Sequence, residues 1–213
     1  MTVGDAGHST QAPRKRYDSQ GLLDVAVKVF TERGYDGTSM GDLATIAGLS
    51  KSSLYHHVDS KEQLLRMALD RALEPLFAVL DEPGATDGPA IERLQHVVRR
   101  TVTVLTEQLP YVTLLLRVRG NTETERWALR RRREFDQHVA ELMAMAEQEG
   151  HVRDDIDPGL ATRLLFGMVN SVVEWYRPPP PPGTPLAHAD PMGISADDLA
   201  DAVLRMAFGH LRG

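Results

Sequence analysis

The chain contains no cysteine among its 213 residues, which excludes disulfide bonds, thiolate zinc sites and cysteine nucleophiles. Aromatic residues are few, and no apolar run approaches the roughly 20 residues that a helix needs to span a bilayer. The first 20 residues contain no apolar segment after their charges, so a signal peptide is not expected. These absences predict a cytoplasmic protein with a disordered polar leader.

Net positive charge is also lacking. The formal net charge is −6 and the sequence pI is about 5.7. An acidic chain does not bind nucleic acid through its global charge, so any such role must depend on a local group of basic residues. The hydrophobic share of 42% is ordinary for a globular protein and sufficient for a core of useful size.

Strand patterns are almost absent, because alternating apolar and polar runs do not occur outside segments with helical spacing. Cap and breaker residues divide the chain into about nine helices, which predicts an all-α fold. The segment "DEPGATDGP" is predicted to be a loop, and "PPPPPGTPLAHADPMG" an extended connection before the last helix. The helices are predicted at about 18–33, 39–47, 51–58, 60–80, 90–107, 111–118, 157–177 and 195–211, with a further long helix that Asn121 or Thr122 caps and that ends near Gly150.

Local signals mark the ends of these helices. Gly34 is expected to end the first helix, and either Thr38 or Ser39 to cap the second. Ser60 is expected to cap the fourth helix, with Gln63 completing a capping box three residues later.

The second and third predicted helices are short and are joined by the turn "AGLS", which is the layout of a helix-turn-helix module. Gly48 permits a tight turn with a positive φ. Leu49 is expected to fill the gap between the two helices, and Leu54 and Tyr55 to anchor the second one on the core. The outer face then carries donors suited to base edges and phosphate oxygens, namely Lys51, Ser52, Ser53, His56 and His57.

Further basic groups flank this module. Lys61 and the start of the fourth helix offer a charge and free backbone N–H groups to a phosphate. Arg14, Lys15 and Arg16 form a flexible arm that can reach the DNA backbone or an adjacent minor groove. The two neighbouring histidines, 56 and 57, point about 100° apart on a helix, so they are not expected to share a metal. We predict neither a metal nor a cofactor.

The segment "FTERGYDGTSMGDLATIAGLSKSSLYHHVDSKEQLL", from Phe30 to Leu65, resembles the DNA-binding signature of the TetR family of bacterial transcriptional repressors. It carries the Gly-Tyr pair, the Ala-Gly-Leu-Ser turn, Leu-Tyr-His and Ser-Lys-Glu in order. The resemblance implies a homodimer on a roughly palindromic operator. It also implies that DNA, chiefly its phosphates, is contacted by Thr38, Ser39, Lys51, Ser53, Tyr55, His56 and Lys61.

The predicted organisation follows from this resemblance. Residues 1–16 form a basic arm, 17–63 the DNA-binding domain, and 64–213 a helical ligand-binding and dimerisation domain. The last two long helices are expected to form a four-helix interface with their symmetry mates, where Gly167 and Ser171 permit close approach. No nucleophile elbow, glycine-rich phosphate loop or His-Glu metal spacing indicates an enzyme. A helical adaptor that kept the motif without binding DNA is the alternative.

Four consecutive arginines, 130–133, cover every direction around a predicted helix. When the apolar face that begins at Phe135 is projected backwards, Arg131 or Arg132 falls on or beside it. At least one guanidinium is therefore expected to point inward, where it needs an anion or paired acceptors. An internal Asp or Glu is one candidate. A ligand carboxylate, phosphate or thioester-linked nucleotide is the other.

The segment "LLFGMVNSVVEWYRP" is apolar nearly all round, which predicts a helix enclosed on both sides. Asn170 and Glu174 are expected to make structural hydrogen bonds or ligand contacts, and Trp175 to cover the core or line a pocket mouth. Together with the arginine-rich helix, this segment resembles the C-terminal domains of TetR-like repressors that sense acyl-coenzyme A thioesters. An arginine-rich helix beside an apolar cavity also suits a phosphorylated head with an apolar tail.

The predicted effector is therefore an acyl-CoA thioester, and the alternative is a free aromatic or fatty acid or another hydrophobic small molecule. The residues predicted to bind it are Trp127, Arg130, Arg131, Phe135, Asn170, Glu174 and Trp175.

Overall fold

The computed structural model describes residues 19–178 and 193–209. All regular structure in these ranges is helical, which confirms the all-α prediction, with ten α-helices where about nine were expected. The helices are α1 Ser19–Arg33, α2 Met40–Ile46, α3 Lys51–Tyr55, α4 Lys61–Ala78, α5 Pro83–Thr86, α6 Ala90–Glu107, α7 Leu109–Arg117, α8 Glu123–Gln148, α9 Pro158–Trp175 and α10 Ala196–Phe208. The predicted basic arm and the proline-rich connection lie outside the described residues.

Side-chain caps determine where several helices begin. Ser39 opens α2, because its hydroxyl accepts from the Asp42 N–H at 3.1 Å and the Asp42 carboxylate accepts from the Ser39 N–H at 2.8 Å. Of the two predicted candidates, Ser39 is thus the cap and Thr38 is not. Thr122 and Glu125 form the same reciprocal pair at the start of α8.

The start of α4 departs slightly from the prediction. Ser60 caps the helix by accepting from the Gln63 N–H at 3.1 Å. The Gln63 side chain, however, accepts from the backbone N–H of Asp59 at 2.6 Å instead of that of Ser60. The predicted capping box is therefore displaced by one residue, because the longer glutamine side chain reaches past the cap.

The segment "DEPGATDGP" is not wholly a loop, so this prediction was wrong in part. A 3-10 turn, Val79–Asp81, extends α4, and α5 follows at once. Pro83 occupies the start of α5, where its fixed φ suits a helix and its missing N–H leaves no donor unpaired. Ala85 is buried in the core. A single buried turn carries no helical period, so composition alone suggested a loop.

Helices α1, α2 and α3 pack with the first half of α4. The predicted inner face of α1 is buried at Leu22, Ala26 and Phe30. Gly48 lies between α2 and α3 with φ +64°, in the left-handed region that the tight turn requires of glycine. Leu49, partly buried, packs against the core there.

The remaining helices pack around α8, which contacts α4, α6 and α9, while α10 packs on α6. The apolar face predicted for α8 is buried at Phe135, Val139, Leu142 and Ala146. Helix α4 belongs to both halves of the molecule, since it contacts α1 as well as α6, α7 and α8. In the described ranges no helix is long and apolar enough to cross a bilayer.

The Thr122 cap offers a test of this local reading. Thr122→Ala should lower the free energy of unfolding by about 1 kcal/mol, because the Glu125 N–H at the first turn of α8 loses its acceptor. Urea denaturation checks this. Thr122→Ser keeps the hydroxyl and should remain close to the wild type. Equal losses in both variants would show that the threonine methyl group, and not the cap, is responsible.

Candidate nucleic-acid interface and ligand cavity

Helix α3 presents a polar face to solvent. Ser50 caps it by accepting from the Ser53 N–H at 3.1 Å, and its hydroxyl lies 3.0 Å from that of Ser52. The side chains that remain exposed are Lys51, Ser52, Tyr55, His56 and His57, with Ser53 partly exposed. None of these residues is acidic, so a basic, hydroxyl-rich face is available on an acidic chain.

Tyr55 does not anchor α3 on the core, which corrects the expectation from spacing. Its side chain is 47% exposed, whereas Leu54 is fully buried. Adjacent residues on a helix point about 100° apart, so one inward residue turns its neighbour outward. The exposed phenol is free to meet DNA, as the family resemblance implies.

Thr38 is another correction. It is 2% exposed, and its hydroxyl donates to the Gly34 carbonyl at 2.8 Å, while its backbone N–H donates to Tyr35 O at 3.2 Å. Both of its donors are therefore used inside the protein, and its side chain cannot reach DNA. Ser39 is exposed, but its hydroxyl also donates to Asp42 at 2.6 Å.

Lys61 connects the start of α4 to the turn after α1. Its ammonium donates to the Tyr35 carbonyl at 2.8 Å and lies 4.1 Å from the centroid of the Tyr35 ring. Burial, reinforced by nearby carboxylates such as Glu62, raises the pKa of Tyr35 to about 12. Lys61 thus has a structural partner, and two of its three N–H groups remain for a phosphate.

A small cavity of about 50 Å³ lies among five helices. Its wall is largely apolar and includes the Phe135 and Phe166 rings, whose centroids are 5.9 Å apart. Polar groups come from Thr101, Arg132, Asp136 and Asn170. The apolar lining is completed by Ala72 and Leu76 of α4, Val104 and Leu105 of α6, and Val112, Leu115 and Leu116 of α7. Apolar walls with a few polar groups are typical of small-molecule sites.

Of the two arginines expected to point inward, Arg132 lines this cavity and Arg131 does not. Arg132 lies four residues after the buried Ala128 and three before Phe135, so it continues the inner face of α8. Desolvation lowers the pKa of Arg132, and the opposing influence is the charge of Asp136. Of the residues predicted to bind a ligand, Phe135 and Asn170 line this cavity.

Three other predicted ligand residues on α8 make protein contacts outside the cavity. Arg130 binds Glu123 at 2.7 Å. Arg131 binds Glu134 at 2.5 Å, and its guanidinium carbon lies 3.6 Å from the centroid of the Phe77 ring. Trp127 is covered by the Arg66 guanidinium at 3.5 Å. A register that points Arg132 inward places these three side chains on the flanks of α8.

The predicted residues at the end of α9 also miss the cavity. Glu174 is exposed and lies 3.9 Å from the Arg117 guanidinium, measured between Oε2 and Nη2. Trp175 is 42% exposed, whereas the next residue, Tyr176, is buried. Residue 176 therefore covers the core at this point, and Trp175 faces outward.

Sequence reasoning missed the cavity residue Asp136 and the contacts that join the two halves. Asp136 could have been found, since it lies one helical turn after Arg132. The Tyr111 hydroxyl of α7 donates to the Asp24 carboxylate of α1 and accepts from Gln20 at 2.7 Å. Desolvation, together with this bond to Asp24, raises the pKa of Tyr111. Nothing in the local sequence signals contacts across about 90 positions.

An apolar strip remains open to solvent on α9 and α10. Leu164 is 61% exposed and Met206 is 78% exposed, and both line a groove of about 270 Å³. Leu160 and Gly167 are exposed on the same helix, and no atom lies within 4 Å of a Cβ built on Gly167. An open strip of this kind is typical of a surface that another chain covers.

Two family models match the chain. The model described as "Bacterial regulatory proteins, tetR family" matches residues 22–68. The model described as "Tetracyclin repressor-like, C-terminal domain" matches residues 87–181. The residues matched by the first model include α2, α3 and most of α1, and those matched by the second include α6 to α9, which are four of the five helices around the cavity.

Curated proteins and solved structures similar to this chain belong to the same family. The HTH-type transcriptional repressor KstR2 of Rhodococcus jostii is 31% identical over 180 residues, which is 83% of both chains. The crystal structure of SCO3833 from Streptomyces coelicolor A3, a TetR-family regulator, is 57% identical, covers 95% of this chain and 94% of that one, and has a TM-score of 0.80. AibR in complex with isovaleryl coenzyme A and operator DNA is 24% identical. The match covers 89% of this chain and 97% of that one, with a TM-score of 0.69. At that identity, AibR shows the fold alone.

The neighbours Leu54 and Tyr55 allow a matched test of the interface. Leu54→Ala should lower the free energy of unfolding by about 2–5 kcal/mol, because it leaves a cavity in the core. Tyr55→Ala should change it by no more than about 0.5 kcal/mol, yet weaken binding to operator DNA. Thermal melts and fluorescence anisotropy measure the two effects. A Tyr55→Ala protein that unfolds as easily as Leu54→Ala would place Tyr55 in the core.

Proposed function

Since the chain belongs to the TetR family of helix-turn-helix transcriptional repressors, which bind operator DNA and are not enzymes, we propose how it is regulated. It acts as a homodimer on a palindromic operator and is released when an apolar acyl compound, an acyl-CoA thioester, enters the α8 cavity. The observation that carries this proposal is that α4 lines the cavity and also packs into the DNA-binding core. A free aromatic or fatty acid is the alternative effector.

Helix α4 supplies the physical link. Leu64 and Leu65 are fully buried in its first half, near α1, whereas Ala72 and Leu76 line the cavity in its second half. A ligand that displaces Ala72 tilts or shifts the first half with it, because the helix between them is uninterrupted and Pro75 comes only after Ala72. Recognition helices must lie about 34–36 Å apart to enter successive major grooves of a palindrome. A ligand that favours another spacing weakens operator binding, and coupling of about 1–3 kcal/mol suffices.

Helix α7 supports the same coupling. Val112 and Leu115 line the cavity, while Tyr111 bonds to Asp24 of α1, and Arg117 donates to the Thr31 carbonyl at 3.1 Å. The two sides of one short helix thus contact the ligand site and the DNA-binding domain. On this basis we retain the division into residues 17–63 and 64–213 as a proposal, with α4 and α7 crossing between the two parts.

The cavity chemistry favours an acyl-bearing effector. Two phenylalanines and a set of aliphatic side chains suit a hydrocarbon group, and Arg132 and Asn170 supply polar partners near it. The cavity, about 50 Å³ in this structure, is smaller than a typical ligand site, so an entering acyl group would have to widen it, and the nucleotide of a CoA thioester would remain outside. The complex of AibR with isovaleryl coenzyme A and operator DNA indicates that this fold can bind such a compound.

We assign the exposed strip on α9 and α10 to the dimer interface. A second protomer would bury the exposed side chains of Leu164 and Met206, and Gly167 permits the backbone of the partner's α9 to approach closely. A two-fold axis through this strip pairs the two helices of one protomer with the same two of its partner, as predicted from the sequence.

The dimer assignment is tested at Leu164. Leu164→Glu should leave the protomer folded, because the side chain is already exposed, but it should place two desolvated carboxylates near the two-fold axis. Sedimentation velocity should then show monomers, and operator affinity should fall with them. Gln137→Glu, an exposed change on α8, is the control that should stay dimeric. A dimeric Leu164→Glu protein would rule out this interface.

The effector assignment is tested by thermal shift with octanoyl-CoA and with octanoate. Ligand binding should raise the melting temperature of the wild type, and Arg132→Met should remove the shift because the cavity loses its cation. Arg130→Met is the matched control, since Arg130 pairs with Glu123 outside the cavity. A shift that survives in Arg132→Met and disappears in Arg130→Met would place the ligand elsewhere.

A further inference from the structure

Two opposite charges share the polar wall of the cavity without pairing. Arg132 and Asp136 lie one turn apart on α8, and both line the cavity. Within the described part of the chain, neither side chain makes a direct hydrogen bond or ion pair. Desolvation lowers the pKa of Arg132 and raises that of Asp136. Each charge therefore keeps hydrogen-bonding capacity for a group that enters.

The charges on the cavity wall limit the chemistry of a ligand group that enters. Among the described residues that line the cavity, Arg132 is the only cation and Asp136 the only anion. Arg163 of α9 also acts on Asp136, but it is exposed to solvent and does not line the wall. A ligand carboxylate attracted to Arg132 would approach a second carboxylate in a partly desolvated site, where two like charges disfavour each other.

A neutral group with both an acceptor and a donor satisfies both residues. The carbonyl of a secondary amide can accept from the Arg132 guanidinium while its N–H donates to the Asp136 carboxylate, and both hydrogen bonds are charge-assisted. An ester or thioester offers only the acceptor, so it leaves Asp136 to water and makes one charge-assisted hydrogen bond fewer.

The order of residues along the cavity places this group at its opening. Asp136 is exposed to solvent although it lines the cavity, so it lies where the cavity opens. Phe135 is buried, Phe166 nearly so, and both face the same cavity. A ligand with its hydrocarbon end beside these rings has its polar chain beside Asp136, from where the chain continues into solvent.

We propose that Arg132 and Asp136 select effectors that carry a secondary amide beside an apolar acyl group, and that they discriminate against the free acid. This inference rests on the proposed effector site and deepens it. Two classes of compound share the chemistry, namely acyl thioesters of an amide-containing pantetheine arm and N-acyl amides. The thioesters place the amide a few atoms beyond the acyl carbonyl, and the N-acyl amides place it directly on the chain.

Isothermal titration of the dimer with small neutral probes separates these possibilities. S-octanoyl-N-acetylcysteamine carries a thioester and one amide, its S-methyl counterpart lacks the amide, and N-propyl octanamide has the amide directly on the chain. The amide-bearing thioester should bind about ten-fold more tightly than octanoate or the S-methyl thioester. If N-propyl octanamide binds more tightly still, the natural class is an N-acyl amide.

Asp136→Asn supplies the decisive variant. It removes the charge and keeps the size, so octanoate should bind about ten-fold more tightly, and the amide-bearing thioester about three- to ten-fold more weakly. Glu134→Gln, which removes an exposed carboxylate paired with Arg131 on the same helix, should change neither affinity. Melting temperatures confirm folding, and if Asp136→Asn does not fold, the wild-type ranking of probes decides alone.

Failure of this inference is distinguishable from failure of the effector proposal. If octanoate binds as tightly as the amide-bearing thioester, and Asp136→Asn leaves the ratio of the two affinities unchanged, the proposed selectivity is overturned. The proposal of an acyl effector is not affected by that result. If no chain length from butanoyl to dodecanoyl binds as acid, thioester or amide, both proposals fall.

Discussion

One helix, α4, contributes to the hydrophobic core of both halves of this repressor, and the coupling between the halves depends on it. Helix α4 has 18 residues and is therefore about 27 Å long. Its first turns bury Leu64 and Leu65 with the helix-turn-helix, and its last turns bury Leu73 and contribute Ala72 to the cavity. If either half of the molecule moves α4, the other half must also rearrange. The short helix α7, with Tyr111 bonded to α1, adds a second physical connection.

Charge is distributed so that local fields outweigh the global one. The chain is acidic, yet the exposed part of α3 has no acidic side chain and carries Lys51. Three of the four adjacent arginines on α8 lie beside described groups, and these groups differ. Arg130 and Arg131 are paired with glutamates on the surface, and Arg132 lines the cavity beside Asp136. One run of identical residues thus yields surface ion pairs and a polar wall for a ligand.

Exposed apolar area is concentrated on one side of the C-terminal half. Helix α9 buries Leu165 and Val169 inward and leaves Leu164 open to solvent. Because α9 lines the cavity through Phe166, the proposed dimer contact and the effector site share this helix as well. A ligand that moves α9 would therefore act on the angle between protomers, in addition to the tilt of α4.

The all-α class, the helix-turn-helix and most helix starts could be predicted from the amino-acid sequence. These features depend on residues within about one helical turn of each other, as Ser39 with Asp42 and Thr122 with Glu125 illustrate. The same locality explains why the inner face from Phe135 to Ala146 could be read directly. It also explains why α5, a single turn with no periodic pattern, was missed.

Which side chains line the cavity or face solvent depends on how the helices pack against one another. Neighbouring positions on a helix differ by about 100°, so the edge of an apolar face is set by the helices that pack on it. That packing turned Arg132 inward and Arg131 outward, buried Thr38, and exposed Tyr55 and Trp175. The cavity wall comes from α4, α6, α7, α8 and α9. Contacts between segments so far apart in the chain have no local signal, because they exist only once the helices have assembled.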